Sequence, residues 1–110
     1  MEREVKIAKT ESLFRDVNER IAETSERFDA DEAEFMCECA DSGCAERLEV
    51  PLEEYEDVRA DATTFLLNPD HVEPDVEKIV DERRGYAVVK KVDGIVARVA
   101  RQLNPRPEAA

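Results

Sequence analysis

Apolar positions mark out the elements along this chain. Over residues 11–28, Leu13, Phe14, Val17, Ile21 and Phe28 recur at spacings of three, four and seven, which predicts an amphipathic helix. Thr10 is placed to cap it, and Glu11 suits the positive end of its dipole. The other face, with Arg15, Asp16, Glu19, Arg20, Glu23 and Arg27, reads as solvated. Residues 1–9 are polar and uncapped, and read as a disordered lead-in.

After an acidic connector, the period changes to two. Residues 35–39 and 47–50 alternate as strands of a hairpin, and Pro51 ends the second. Leu52, Tyr55 and Val58 mark a short helix with Glu53, Glu54, Glu56 and Asp57 outward. Residues 63–67 read as a third strand, closed by the turn sequence Asn68, Pro69 and Asp70. Pro74 bars a strand before it, which leaves a fourth within residues 76–80, a turn around Arg84 and Gly85, and a fifth strand over residues 86–92. Asp93 is positioned to cap a last helix carrying Ile95, Val96, Val99, Ala100 and Leu103 on one side, ended by Asn104 and Pro105. The predicted fold class is α+β: one antiparallel sheet of about four to five strands with an N-terminal, a short middle and a C-terminal helix. Residues 10–104 are expected to form a single domain and residues 105–110 a tail.

Composition narrows the function classes. Charged residues make up 40% of the 110, and the net charge of −12 repels phosphate backbones, so no nucleic acid is expected as a partner. The charge is unevenly spread. Residues 31–61 hold twelve acidic and two basic side chains, whereas residues 83–106 hold seven basic side chains and a single acidic one. Mutual pairing of the two blocks is the simpler reading. The sharper one is a basic patch of Arg83, Arg84, Lys90, Lys91, Arg98 and Arg101. No apolar run approaches the roughly 20 residues of a membrane span, and the start Met1-Glu2-Arg3-Glu4 lacks signal-peptide features, so the expected location is cytoplasmic, with no membrane partner.

The chemistry concentrates in residues 37–44, which contain all three cysteines, Cys37, Cys39 and Cys44; the one histidine is His71. On a strand, Cys37 and Cys39 would share a face with Cα atoms roughly 6.6 Å apart, at the edge of disulfide tolerance. A tetrahedral metal asks less, since sulfurs on Zn–S bonds of about 2.3 Å need only approach to roughly 3.8 Å. A turn over residues 40–43, with Gly43 free to take a positive φ, would return Cys44 to the same ion. An odd number of clustered cysteines also fits metal or redox chemistry in a reducing compartment. The plainer reading is that free cysteines are small buried hydrophobes, and the C-x-C-x4-C spacing is not the usual C-x2-C of zinc fingers. The expected cofactor is zinc, held by Cys37, Cys39, Cys44 and His71, with Asp41, Asp70 or a water as rivals for the fourth position.

Several stretches carry a resemblance: residues 13–21, residues 35–39 with Cys44, residues 54–59, Pro69-Asp70-His71, and residues 86–91. Together they resemble a family of small uncharacterised bacterial proteins, mainly actinobacterial, over nearly the whole chain. The resemblance implies that the three cysteines and the histidine after the Pro turn belong to one pattern. Family members tend to carry Gly where Asp70 stands and Glu where Lys90 stands, so this chain departs in both places. The resemblance adds weight to the site and none to any activity.

Three functions fit. The first is a non-enzymatic module in which zinc staples the cysteine hairpin to the loop of His71 while the charged surface meets a protein partner. The second is a thiol and zinc redox sensor that releases the metal on oxidation. The third is a zinc-dependent hydrolase with an open three-cysteine site and Asp41 or Glu38 as general base. Cys44 acting as a nucleophile with His71 has no motif behind it.

Overall fold

Among residues 2–106, which the computed structural model of the chain describes, the order is α1 (Glu2–Arg27), β1 (Glu32–Met36), β2 (Arg47–Pro51), α2 (Leu52–Arg59), β3 (Thr64–Leu67), a 3-10 turn (Pro69–His71), β4 (Glu77–Arg83), β5 (Tyr86–Lys91) and α3 (Gly94–Gln102). The class is α+β, as the pattern predicts. The strands divide between two antiparallel sheets instead of forming one: β1 pairs with β2, and β5 lies between β3 and β4.

Helix α1 departs most from its reading. It starts at Glu2, so residues 2–9 are helical and not a disordered lead-in. Tertiary contact explains the extra turns: Ile7 and Ala8 pack with Val76 and Val96, and Arg3 Nη1 donates to Asp75 Oδ2 at 2.7 Å. The buried face is also different. Leu13 and Phe28 are 64% and 77% exposed, while Glu11, Arg15, Asn18 and Glu19 are buried with Phe14 and Ala22. Of the face read as solvated, Asp16, Arg20, Glu23 and Arg27 are exposed as predicted, while Arg15 and Glu19 are buried. Each buried ionisable group of α1 has a partner: Lys91 Nζ lies 2.6 Å from Glu11 Oε1 and also pairs with Glu77, and Arg59 pairs with Glu19. Arg15 lies against the Phe65 ring, 3.5 Å from its centroid, and donates from Nη1 to Ala62 O at 2.8 Å and from Nη2 to Thr64 O. Burial lowers the pKa of its guanidinium to about 10, and the Glu38 carboxylate opposes that shift.

Strand β1 lies three residues nearer the N-terminus than predicted, so residues 37–39 fall beyond it, whereas β2 begins where expected and runs on through Pro51. Its inner residues, Phe35, Leu48 and Val50, join Tyr55, Phe65, Leu66, Leu67 and Val89 in the main core, where the Phe35 and Tyr55 rings stack at 4.2 Å. Strand β4 runs three residues past its expected end, with a register shift between Ile79 and Asp81, before the positive φ of Gly85 turns the chain into β5. Asp93 caps α3 as predicted, its Oδ1 accepting from Ile95 N and Val96 N at 2.9 and 3.0 Å. The expected tail begins docked: Arg106 donates to both carboxylate oxygens of Glu56 and to Glu19 Oε2, each at 2.8 Å. Residues 107–110 of that tail lie outside the described residues.

Candidate metal centre

Strand β1 ends at Met36, and side chains take over from strand pairing. Asn18 of α1 stands in for a neighbouring strand: its Oδ1 accepts from Met36 N at 2.7 Å and its Nδ2 donates to Met36 O at 2.9 Å. The next two amides turn to different partners. Cys37 N donates to Glu46 O at 3.1 Å on the hairpin side, and Glu38 N donates to Leu66 O at 2.7 Å on the β3 side. Residues 37–38 therefore join the two sheets. Glu38 completes the junction, since its Oε1 accepts from Leu66 N at 2.9 Å and its Oε2 accepts from Asn18 Nδ2 at 2.8 Å. Arg15 Nε lies 3.9 Å from Oε1, and both side chains are almost wholly buried.

The turn that brings back Cys44 is built by an aspartate. Asp41 Oδ1 accepts from Gly43 N at 2.9 Å, and Asp41 O accepts from Cys44 N at 3.0 Å. Gly43 does not take the positive φ expected of it; among the described residues only Asp29 and Gly85 have one. The Asp41 side chain closes the turn without it.

His71 arrives from β3 through Asn68, the cap of the 3-10 turn. Asn68 Oδ1 accepts from Asp70 N and Asn68 O from His71 N, both at 2.8 Å. The same residue fastens the turn to the cysteine loop, with its N donating to Cys37 Sγ at 3.2 Å and its Nδ2 to Glu46 Oε2 at 2.5 Å. A backbone amide aimed at sulfur favours the thiolate form.

These attachments converge. One potential ligand atom from each of Cys37, Cys39, Cys44 and His71 falls within 4.8 Å of every other. His71 Nδ1 lies 3.5 Å from Cys37 Sγ and 3.7 Å from Cys44 Sγ. Cys37 and Cys39 are buried, Cys44 and His71 partly so, and all three cysteines are free. Among the described residues, neither Asp41 nor Asp70 belongs to the cluster.

Three sulfurs this close cannot all ionise without a cation beside them. The Cys37 thiol donates to Cys39, which lowers Cys39 to about 5 and pushes Cys37 upward, with burial adding to the rise at Cys37. Burial raises Cys44 as well. A site that gathers soft sulfur ligands and one imidazole, and that gains from a positive charge, is compatible with a metal ion.

The fold and site thus define a small α+β protein with a three-cysteine, one-histidine cluster compatible with a metal. No family model matches the chain, and neither does any curated protein or solved structure. No helix among the described residues is long and apolar enough to cross a membrane. The hydrophobic pattern gives Asn18 no role and sets Arg15 on the solvated face, and from sequence Glu38 reads as a possible general base. That carboxylate is committed to Leu66 and Asn18. Asn in mid-helix is a poor helix former whose side chain readily bonds backbone elsewhere, and that was the available signal.

Proposed function

We propose that the chain binds one zinc ion through the sulfurs of Cys37, Cys39 and Cys44 and through Nδ1 of His71, as a structural site. The observation that carries this is the pair of nitrogen-to-sulfur distances, 3.5 and 3.7 Å. A tetrahedral ion with Zn–S bonds of about 2.3 Å and a Zn–N bond of about 2.1 Å requires ligand edges of about 3.6 Å between nitrogen and sulfur. A set of four protein ligands leaves no position for a substrate, and the commitment of Glu38 removes one candidate base, which favours a non-enzymatic module over a hydrolase. Its cellular role on this reading is to present a zinc-stapled surface to a protein partner in a reducing compartment, the cytoplasm. Nucleic acid suits the surface poorly, because Arg83 pairs with Glu54, Lys90 with Asp61, and Lys91 is buried against Glu11 and Glu77.

The test is elemental mass spectrometry of protein purified without chelator. One zinc per chain is expected, and Cys39→Ser is expected to lose most of it, since the ion then keeps only three of its ligands. A metal-free sample with full helicity and unchanged melting would refute the proposal.

A further inference from the structure

We propose that Glu38 is a positioning residue of this centre, holding the Cys37–Cys39 pair at the height on β3 from which His71 can reach it; the inference rests on the zinc reading above. The geometry is specific. The outer edge of β3 would leave Leu66 with an unpaired N–H and C=O, and among the described residues no strand covers it. Residue 38 covers both: its backbone N donates to Leu66 O at 2.7 Å, and its Oε1 accepts from Leu66 N at 2.9 Å. One residue thus pairs with Leu66 as a strand neighbour would. Two residues further along the chain, just past the end of β3, Asn68 N reaches Cys37 Sγ at 3.2 Å and begins the turn that carries His71. The register between Glu38 and Leu66 therefore sets the register between Cys37 and His71.

The other carboxylate oxygen fixes the opposite side. Oε2 accepts from Asn18 Nδ2, and Asn18 is oriented by its two bonds to Met36, so it cannot flip its amide without losing both. The site asks residue 38 for two acceptors and no donor. A glutamine supplies one of each, and would set Nε2 against Asn18 Nδ2 as donor against donor. Residues behind the ligands of metal centres commonly change affinity 10- to 100-fold when altered.

The experiment loads wild-type protein, Glu38→Gln, Glu38→Asp and Glu19→Gln with Co2+ and with Zn2+. It records the cobalt visible spectrum and the rate of zinc transfer to a chromophoric chelator. Glu38→Asp keeps the charge but withdraws the carboxylate from Leu66 by one methylene. Glu19→Gln alters a buried carboxylate whose ion pairs, with Arg59 and Arg106, involve none of the four cluster residues, and so reports general loosening of the core. The expected result is a changed cobalt spectrum and at least tenfold faster zinc transfer for both Glu38 variants, with both readouts near wild type for Glu19→Gln. Wild-type spectra and rates in the Glu38 variants would overturn the proposal, as would equal acceleration by Glu19→Gln. Failure of both Glu38 variants to fold in excess zinc would overturn it too, since a carboxylate needed simply for the core to form is not a positioning residue. A wild-type chain that takes up neither metal would instead refute the zinc reading itself.

Discussion

Replacing Glu11 by glutamine should change how stability depends on pH, in a direction the structure determines. Lys91 Nζ from β5 is held by Glu11 of α1 at 2.6 Å and by Glu77 of β4, with all three side chains fully buried. Two carboxylates around one ammonium would leave a net negative charge out of water, and proteins relieve that by keeping a proton. Here the proton resides on Glu11, which burial raises from 4.5 to about 8; Lys91 opposes the rise and the charge of Glu77 adds to it. Between those two values the folded chain binds a proton that the unfolded chain has released, so this group's contribution to stability falls as pH rises through that window. At 1.36 kcal/mol per pH unit, the loss between about pH 5 and about pH 7.5 comes to about 3 kcal/mol. Glutamine cannot ionise and leaves the Lys91–Glu77 pair in place, so the variant should lack that decline. Urea unfolding followed by circular dichroism at several pH values, with zinc in constant excess, measures it, and subtracting the two curves cancels the titrating groups that do not interact with Glu11. Parallel curves for the two proteins would refute the reasoning.

Three of the remaining tests concern the metal centre and one the extended helix. The zinc content of wild type and Cys39→Ser and the cobalt spectra of the Glu38 variants are set out above. His71→Ala should weaken zinc binding by about 100- to 1000-fold, as one of four bonds sharing roughly 10 to 16 kcal/mol is lost, and should change the cobalt spectrum; competition with a chelator of known affinity would show it, and an unchanged affinity would remove His71 from the ligand set. Ile7→Ala should lower stability by about 2 to 4 kcal/mol, because Ile7 is buried against Val76 and Val96, whereas a lead-in without structure would tolerate the change.

The contrast between α1 and the metal centre shows what a sequence exposes and what it hides. Hydrophobic periodicity ranks a helix face by transfer to an apolar medium, and by that measure Leu13, Val17 and Phe28 outrank Glu11, Arg15, Asn18 and Glu19. The fold reverses the order because each of the four polar residues meets a partner far along the chain: Lys91 for Glu11, Glu38 and the carbonyls of Ala62 and Thr64 for Arg15, Met36 for Asn18, and Arg59 for Glu19. Burying a charge is unfavourable alone and tolerable when paired, and the pairing is information that no window of the sequence contains. The cysteine cluster was legible for the opposite reason. Three of its four members lie within eight residues, and the fourth follows the strong turn chemistry of Asn68 and Pro69. Of the two readings of the uneven charge, mutual pairing is met in part, by Arg83 with Glu54, Lys90 with Asp61 and Arg106 with Glu56, whereas Lys91 pairs outside the acidic block, with Glu11 and Glu77. Those exposed pairs contribute little individually. The buried ones bind α1 to β5, to α2 and to Glu38 just past β1, so residues that the pattern ranks as polar help fix where Asn18 stands, and through Asn18 and Glu38 where the cysteines stand.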